Sequence, residues 1–119
     1  MAAAALPAKA RPGRGSRTGR PIMALLDLMG RRWSLRIVWE LRQGPLTSRA
    51  LRAACDEASP SVLQARLSEL RDAGLVDHAV GRGYALTGLG QEFLEVSLPL
   101  YGFAERWAAA TKPGTTPRG

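Results

Sequence analysis

Ser61, Ala65, Ser68 and Asp72 recur at intervals of three and four, which places them on one side of a helix. Leu63, Leu67 and Leu70 take the opposite side. Gln64 and Arg71 flank the polar side, Glu69 lies across from them, and Arg66 sits beside the apolar stripe. The chemistry such a surface offers is recognition, not bond making. Small side chains keep the helix narrow enough for a DNA major groove about 12 Å wide. Gln64 can donate to and accept from adenine, and Ala65 or a serine can touch a thymine methyl. Ser61, close to the helix N-terminus, can meet a phosphate together with the exposed N–H groups. The same residues also suit an ordinary solvated helix, so the surrounding elements decide between the two. Two further sets of cations bear on the question. Arg82 stands between glycines at the tip of a short hairpin, within reach of a minor groove or a phosphate, and otherwise is an exposed turn residue. Arg49 and Arg52 lie on the segment before the reader helix.

Other chemistries find little support. The single cysteine, Cys55, excludes an internal disulfide and a multi-cysteine zinc site. It shares an inward stripe with Leu51 and reads as a buried structural thiol in preference to a redox switch. His78 is the one histidine and reads as a plain strand residue. Paired carboxylates, a nucleophile–base pair and a phosphate loop are all missing from the pattern, so an enzyme is the weakest reading, with no cofactor or metal expected. Apolar runs are too short for a membrane span.

The chain has 119 residues and a formal charge of +7. All of that excess lies in the ends: Lys9, Arg11, Arg14, Arg17 and Arg20 on one side, Lys112 and Arg118 on the other. Residues 21–111 hold ten arginines against ten carboxylates. High overall basicity therefore says nothing about the fold. Within the body, Arg31, Arg32, Arg36, Arg42, Arg49 and Arg52 make the first half basic, which suits one face turned to a polyanion or simply solvated arginine. The composition predicts a disordered basic arm over 1–20, a domain over 21–110 and a disordered tail over 111–119. A protein of the cytoplasm with a basic arm is the expected setting.

The elements that must position these residues read as follows. Ile22–Met29 is a helix closed by Gly30. Trp33–Arg42 is a second helix, broad in its apolar surface and stopped by Gly44-Pro45. Thr47 or Ser48 caps a third over Arg49–Cys55. Ser59 caps the fourth, with Pro60 at its first position and Gly74-Leu75 as a Schellman-type stop. Leu75–Val80 and Tyr84–Leu86 form a hairpin, and Thr87 caps a last helix that Pro99 kinks or splits. Leu100, Phe103 and Trp107 form an apolar stripe after the domain is complete, suited to a partner subunit. The fold class is mainly α with one small β-hairpin: a winged helix-turn-helix with an extra helix at each end.

These residues resemble the HxlR-type bacterial transcriptional regulators over about residues 21–107. The likeness runs through Leu26-Asp-Leu-Met-Gly-Arg-Arg-Trp33, Ile37-Val-Trp-Glu-Leu41, Gly44-Pro45, the whole of Ser59–Val76, and Tyr84-Ala-Leu-Thr-Gly-Leu-Gly90. It implies a homodimeric transcriptional regulator, repressor or activator, on a pseudo-palindromic operator in double-stranded DNA, working at the bacterial nucleoid. The Ser59–Ala73 helix would enter the major groove and the hairpin would act as the wing. Expected DNA contacts are Arg49, Ser59, Ser61, Gln64, Ala65, Arg66, Ser68, Arg71 and Arg82. The first and last helices would form the dimer through Leu25, Leu28, Leu100, Phe103 and Trp107. Four departures stand out. Arg20-Pro21 occupies the place of a redox-sensing cysteine, the wing is short, Ser48 replaces an aromatic, and Trp39 stands where Arg is common. Trp39 suggests a pocket for a small apolar effector of unknown identity. The family's late tryptophan is displaced, with Phe103 or Trp107 in its role. The competing reading is a winged helix used for protein contact, with loose nucleic-acid affinity from the basic tail.

Overall fold

The computed structural model describes residues 20–79 and 81–112, so nearly all of the expected basic arm and C-terminal tail lies outside the described residues. Five helices and one hairpin follow in the order α1 (Pro21–Met29), α2 (Ser34–Glu40), a 3-10 turn (Leu41–Gln43), α3 (Ser48–Ala54), α4 (Pro60–Asp72), β1 (Val76–Ala79), β2 (Gly83–Leu86) and α5 (Gly88–Thr111). This is the winged helix-turn-helix arrangement that the sequence predicts. Ile37, Leu41, Leu51, Leu63, Leu67 and Leu70 are the large side chains sealed at its centre, so α2, α3 and α4 share one core. Burying each such side chain is worth about 1.5–3 kcal/mol.

The caps work as their residue types require. Thr47, Ser59 and Thr87 hydroxyls accept from the N–H groups of Ala50, Val62 and Gly90. At the end of α4, Gly74 takes φ of 82°. Leu75 then donates to the Leu70 carbonyl at 3.0 Å and Gly74 to that of Arg71 at 2.9 Å, the two bonds of a Schellman stop. That stop consumes Leu75, so β1 starts one residue later than expected. The β1–β2 ladder pairs Val76 with Leu86 and His78 with Tyr84. Leu46 adds an antiparallel bridge to Tyr84. Gly83 is obligatory there: φ is 94° and a Cβ would collide with the Leu46 carbonyl. Gly90 is likewise forced, because the Leu75 carbonyl occupies the place of its Cβ.

Two expectations need correction. The second helix begins at Ser34, not Trp33, because Trp33 adopts a left-handed backbone with φ of 78° and turns the chain between α1 and α2. Its ring packs against the core, which holds a conformation costly for a bulky residue. Of the two outcomes expected at Pro99, a kink or a split, the split does not occur, since the last helix continues from Gly88 to Thr111. Pro99 and Glu95 both lie on the solvent side, where water can satisfy the carbonyl that loses its N–H partner.

Candidate nucleic-acid interface

Helix α4 turns Leu63, Leu67 and Leu70 into the core and leaves Ser61, Gln64, Ala65, Ser68, Arg71 and Asp72 exposed. Ser59 is spent in part on the cap, its Oγ accepting from Val62 at 3.2 Å and lying 3.3 Å from Ser61 Oγ. The face is narrow and polar, as the spacing predicts. A turn between α3 and α4 sets its orientation, with Asp56 and Glu57 both in left-handed backbone at φ of 56° and 59°. Two arginines bind this turn. Arg36 donates to the Ala54 carbonyl at 2.6 Å and pairs with Glu40 at 2.7 Å and Asp56 at 3.6 Å. Arg52 donates to the Ala58 carbonyl at 2.9 Å and pairs with Glu57 at 3.5 Å. Each guanidinium neutralises a turn carboxylate and satisfies a backbone carbonyl at one edge of the turn.

This changes the meaning of the basic first half. Arg36 and Arg52 face inward to the turn, Arg31 approaches Glu69 at 3.7 Å, and Arg42 lies 3.9 Å over the Trp39 ring. Arg32 lies 5.0 Å from the centre of the Trp33 ring. The cluster is largely a structural network, not one face turned to a polyanion. Arg66 is tied in a similar way. It is only 18% exposed and grips both Glu69 oxygens, at 2.8 and 2.9 Å, so its charge is directed along the helix. Arg49 on α3, Arg71 on α4 and Arg82 at the hairpin tip are exposed and have no side-chain partner among the described residues. Sequence alone ranks these cations with the others; only the ion-pair geometry separates them.

The wing root is built tightly. Tyr84 is buried, its ring is stacked on His78 at 4.3 Å, and its hydroxyl donates to Gln64 Oε1 at 3.5 Å. Cys55 is sealed in the core, and burial raises its thiol pKa, with nearby Arg36 opposing the rise. No group of three or more metal-binding side chains occurs among the described residues.

On the other side of the molecule, α1 contains no buried residue. Leu25 and Leu28 are half-buried and line an apolar cavity of about 390 Å³ between α1 and α5, with Ile22, Leu75, Phe93 and Val96 also in its wall. Ile22, Leu26, Val96, Leu100, Phe103 and Trp107 are all more than half exposed. Among them Ile22 and Leu26 are not singled out by spacing, since an outward apolar residue is invisible until the inward face is known. Trp39 takes no part in this cavity. Arg42 and the Tyr101 ring both pack on it, at 3.9 and 4.7 Å from its ring centre.

A family model described as HxlR-like helix-turn-helix matches residues 28–112. Among solved structures, the quinone-bound YodB of B. subtilis is 26% identical, with a TM-score of 0.67 over 71% of this chain and 96% of that one. A possible HxlR family transcriptional factor from Thermoplasma volcanium is 26% identical, with a TM-score of 0.66 over 76% and 86% of the two chains. A transcriptional regulator described as of the MarR family, from Enterococcus faecalis, is 27% identical, with a TM-score of 0.63 over 75% and 86%. No curated protein matches the chain.

Proposed function

The chain belongs to the HxlR-like helix-turn-helix family of DNA-binding transcription regulators, and from that premise we propose that it reads a pseudo-palindromic operator as a homodimer. One observation carries the reading: the exposed side of α4 holds only small or polar groups, while Arg49, Arg71 and Arg82, exposed and without side-chain partners among the described residues, stand on three successive elements, α3, α4 and the hairpin. Ser61, Gln64, Ala65 and Ser68 then face base edges, and the three arginines grip phosphates. The setting of this reading is a bacterial chromosome in the cytoplasm. A dimer would present two α4 helices about one DNA turn apart, roughly 34 Å.

Selection of bound sequences from a random duplex pool tests this directly. The expected result is an enriched motif with dyad symmetry and half-sites about 10 base pairs apart centre to centre. A motif without a dyad sinks the homodimer, and no enrichment at all sinks sequence reading. The latter outcome favours the protein-contact alternative, which the neutral body recommends, since charge excess is confined to the ends. Removing residues 2–19 separates the two: retained motif preference supports the operator reading, and loss of all DNA binding supports the alternative.

A further inference from the structure

We propose that Tyr84 is a positioning residue that sets the base preference of Gln64, an inference that rests on the operator reading above. Gln64 is exposed on the reading face of α4, and an unrestrained glutamine there samples many rotamers and both amide orientations. Tyr84 is among the most constrained residues of the wing. Its backbone donates to the Leu46 carbonyl at 2.7 Å and accepts from the Leu46 N–H at 2.9 Å. Its side chain is 6% exposed, and His78 stacks on the ring at an interplanar angle of 15°. From this fixed base the phenol donates to Gln64 Oε1, which is its side-chain partner among the described residues.

The flipped amide would donate to the phenol oxygen and leave the phenol proton with no acceptor among the described residues, so the contact favours the orientation with Oε1 toward the hydroxyl. Oε1 is turned toward the wing and Nε2 away from it. The group offered to DNA is then a donor pair of restricted placement, matched to acceptor edges such as guanine O6 and N7 or thymine O4. A free glutamine would instead favour adenine through a two-pronged grip that needs Oε1 as well. At 3.5 Å the bond is long for a hydroxyl and a carbonyl, so it acts as a loose tether that restricts the side chain before DNA arrives. The wing thereby contributes to sequence reading without its tip entering a groove.

The test uses the full chain and the duplex it enriches from a random pool. Tyr84→Phe keeps the ring, the His78 stack and the Leu46 bridge and removes only the donor. Expected is a loss of roughly three- to fivefold in the affinity ratio between the enriched duplex and one altered at the base pair Gln64 reads. The salt slope should stay the same, and repeated selection should shift that one position toward adenine. In a Gln64→Ala background the same Tyr84→Phe change should do nothing, because the tyrosine acts only through the glutamine. Unchanged selectivity in the wild-type background overturns the inference, as does an equal loss in both backgrounds, which marks Tyr84 as merely structural. Failure to enrich any duplex with the wild-type protein overturns the operator reading itself and is told apart by that result.

Discussion

On the operator reading, Gln64 and Arg82 ask different things of DNA, and their loss should be distinguishable. A base-reading amide contributes discrimination, whereas a tip arginine contributes counterion release. Gln64→Ala should weaken specific binding by about 1–3 kcal/mol while leaving the salt slope intact. Arg82→Ala should lower the slope by about one and weaken all duplexes alike. Titration of each variant against two duplexes at several salt concentrations reads both effects, and an unchanged slope in Arg82→Ala removes the wing tip from the interface. Cys55 makes a prediction of another kind. Burial raises its pKa, so the folded chain keeps the thiol proton at pH values where the unfolded chain has begun to lose it. The unfolded state then binds fewer protons, and stability falls as pH rises from about 8.5 through the raised folded value. Tyr101, raised by its own desolvation, adds a fall of the same sign at higher pH. The urea midpoint should drop between about pH 7.5 and about pH 9.5, and Cys55→Ala should flatten part of that drop. An equally steep drop without the thiol assigns it to other groups.

At the level of elements, punctuation was the most legible part of the chain. Thr47, Ser59, Pro60, Gly74 and Thr87 each act where their side chains or backbone freedom predict, because caps and stops depend on neighbours within one turn. The misreadings have a common physical cause in tertiary contact. Trp33 suits a helix start by periodicity, yet core packing holds it left-handed. Pro99 signals a break, yet its solvent-side position lets α5 continue. The polar face of α4 was legible because an exposed face is the complement of a buried one. Which arginines stay free for phosphate was not, because Arg36, Arg52 and Arg66 find their carboxylates only in three dimensions. The turn between α3 and α4 shows what those ion pairs do. Arg52→Ala removes a charge-assisted bond to the Ala58 carbonyl and the partner of Glu57. With its side chain 43% exposed, the stability cost should be modest, about 1 kcal/mol. Operator affinity should fall by more than that figure, since α4 loses the support that aims it. Chemical denaturation and DNA titration on the same variant compare the two, and equal losses would mean that the turn stabilises the domain without orienting the reader.

For the whole molecule, the two faces make opposite demands. One is narrow and polar; the other leaves α1 without a buried residue and displays Ile22, Leu26, Leu100, Phe103 and Trp107. A domain of about 90 residues has a modest core, and scattered apolar side chains alone need no explanation. Here they are neither scattered nor isolated: they continue the wall of the apolar cavity between α1 and α5, and α5 carries the stripe on past the end of the core. A two-fold partner is the occupant that fits both facts, because in a symmetric contact the same α1 and α5 surfaces supply groove and filling on each side. Leu25 and Leu28 would then serve as floor and Phe103 and Trp107 as anchors, the kind of buried aromatic that dominates association energy. The expected result is a sedimentation mass near twice that of the 12.8 kDa chain. A Phe103→Asp, Trp107→Asp double variant should sediment as a monomer. Both side chains are more than half exposed in the single chain, so the variant should keep its helical spectrum and fold. It should still touch a half-site, but affinity for the full dyad should fall steeply because two tethered readers become one. A wild-type chain that sediments as a monomer while binding a dyad motif at full strength would contradict this arrangement, as would a double variant that remains dimeric.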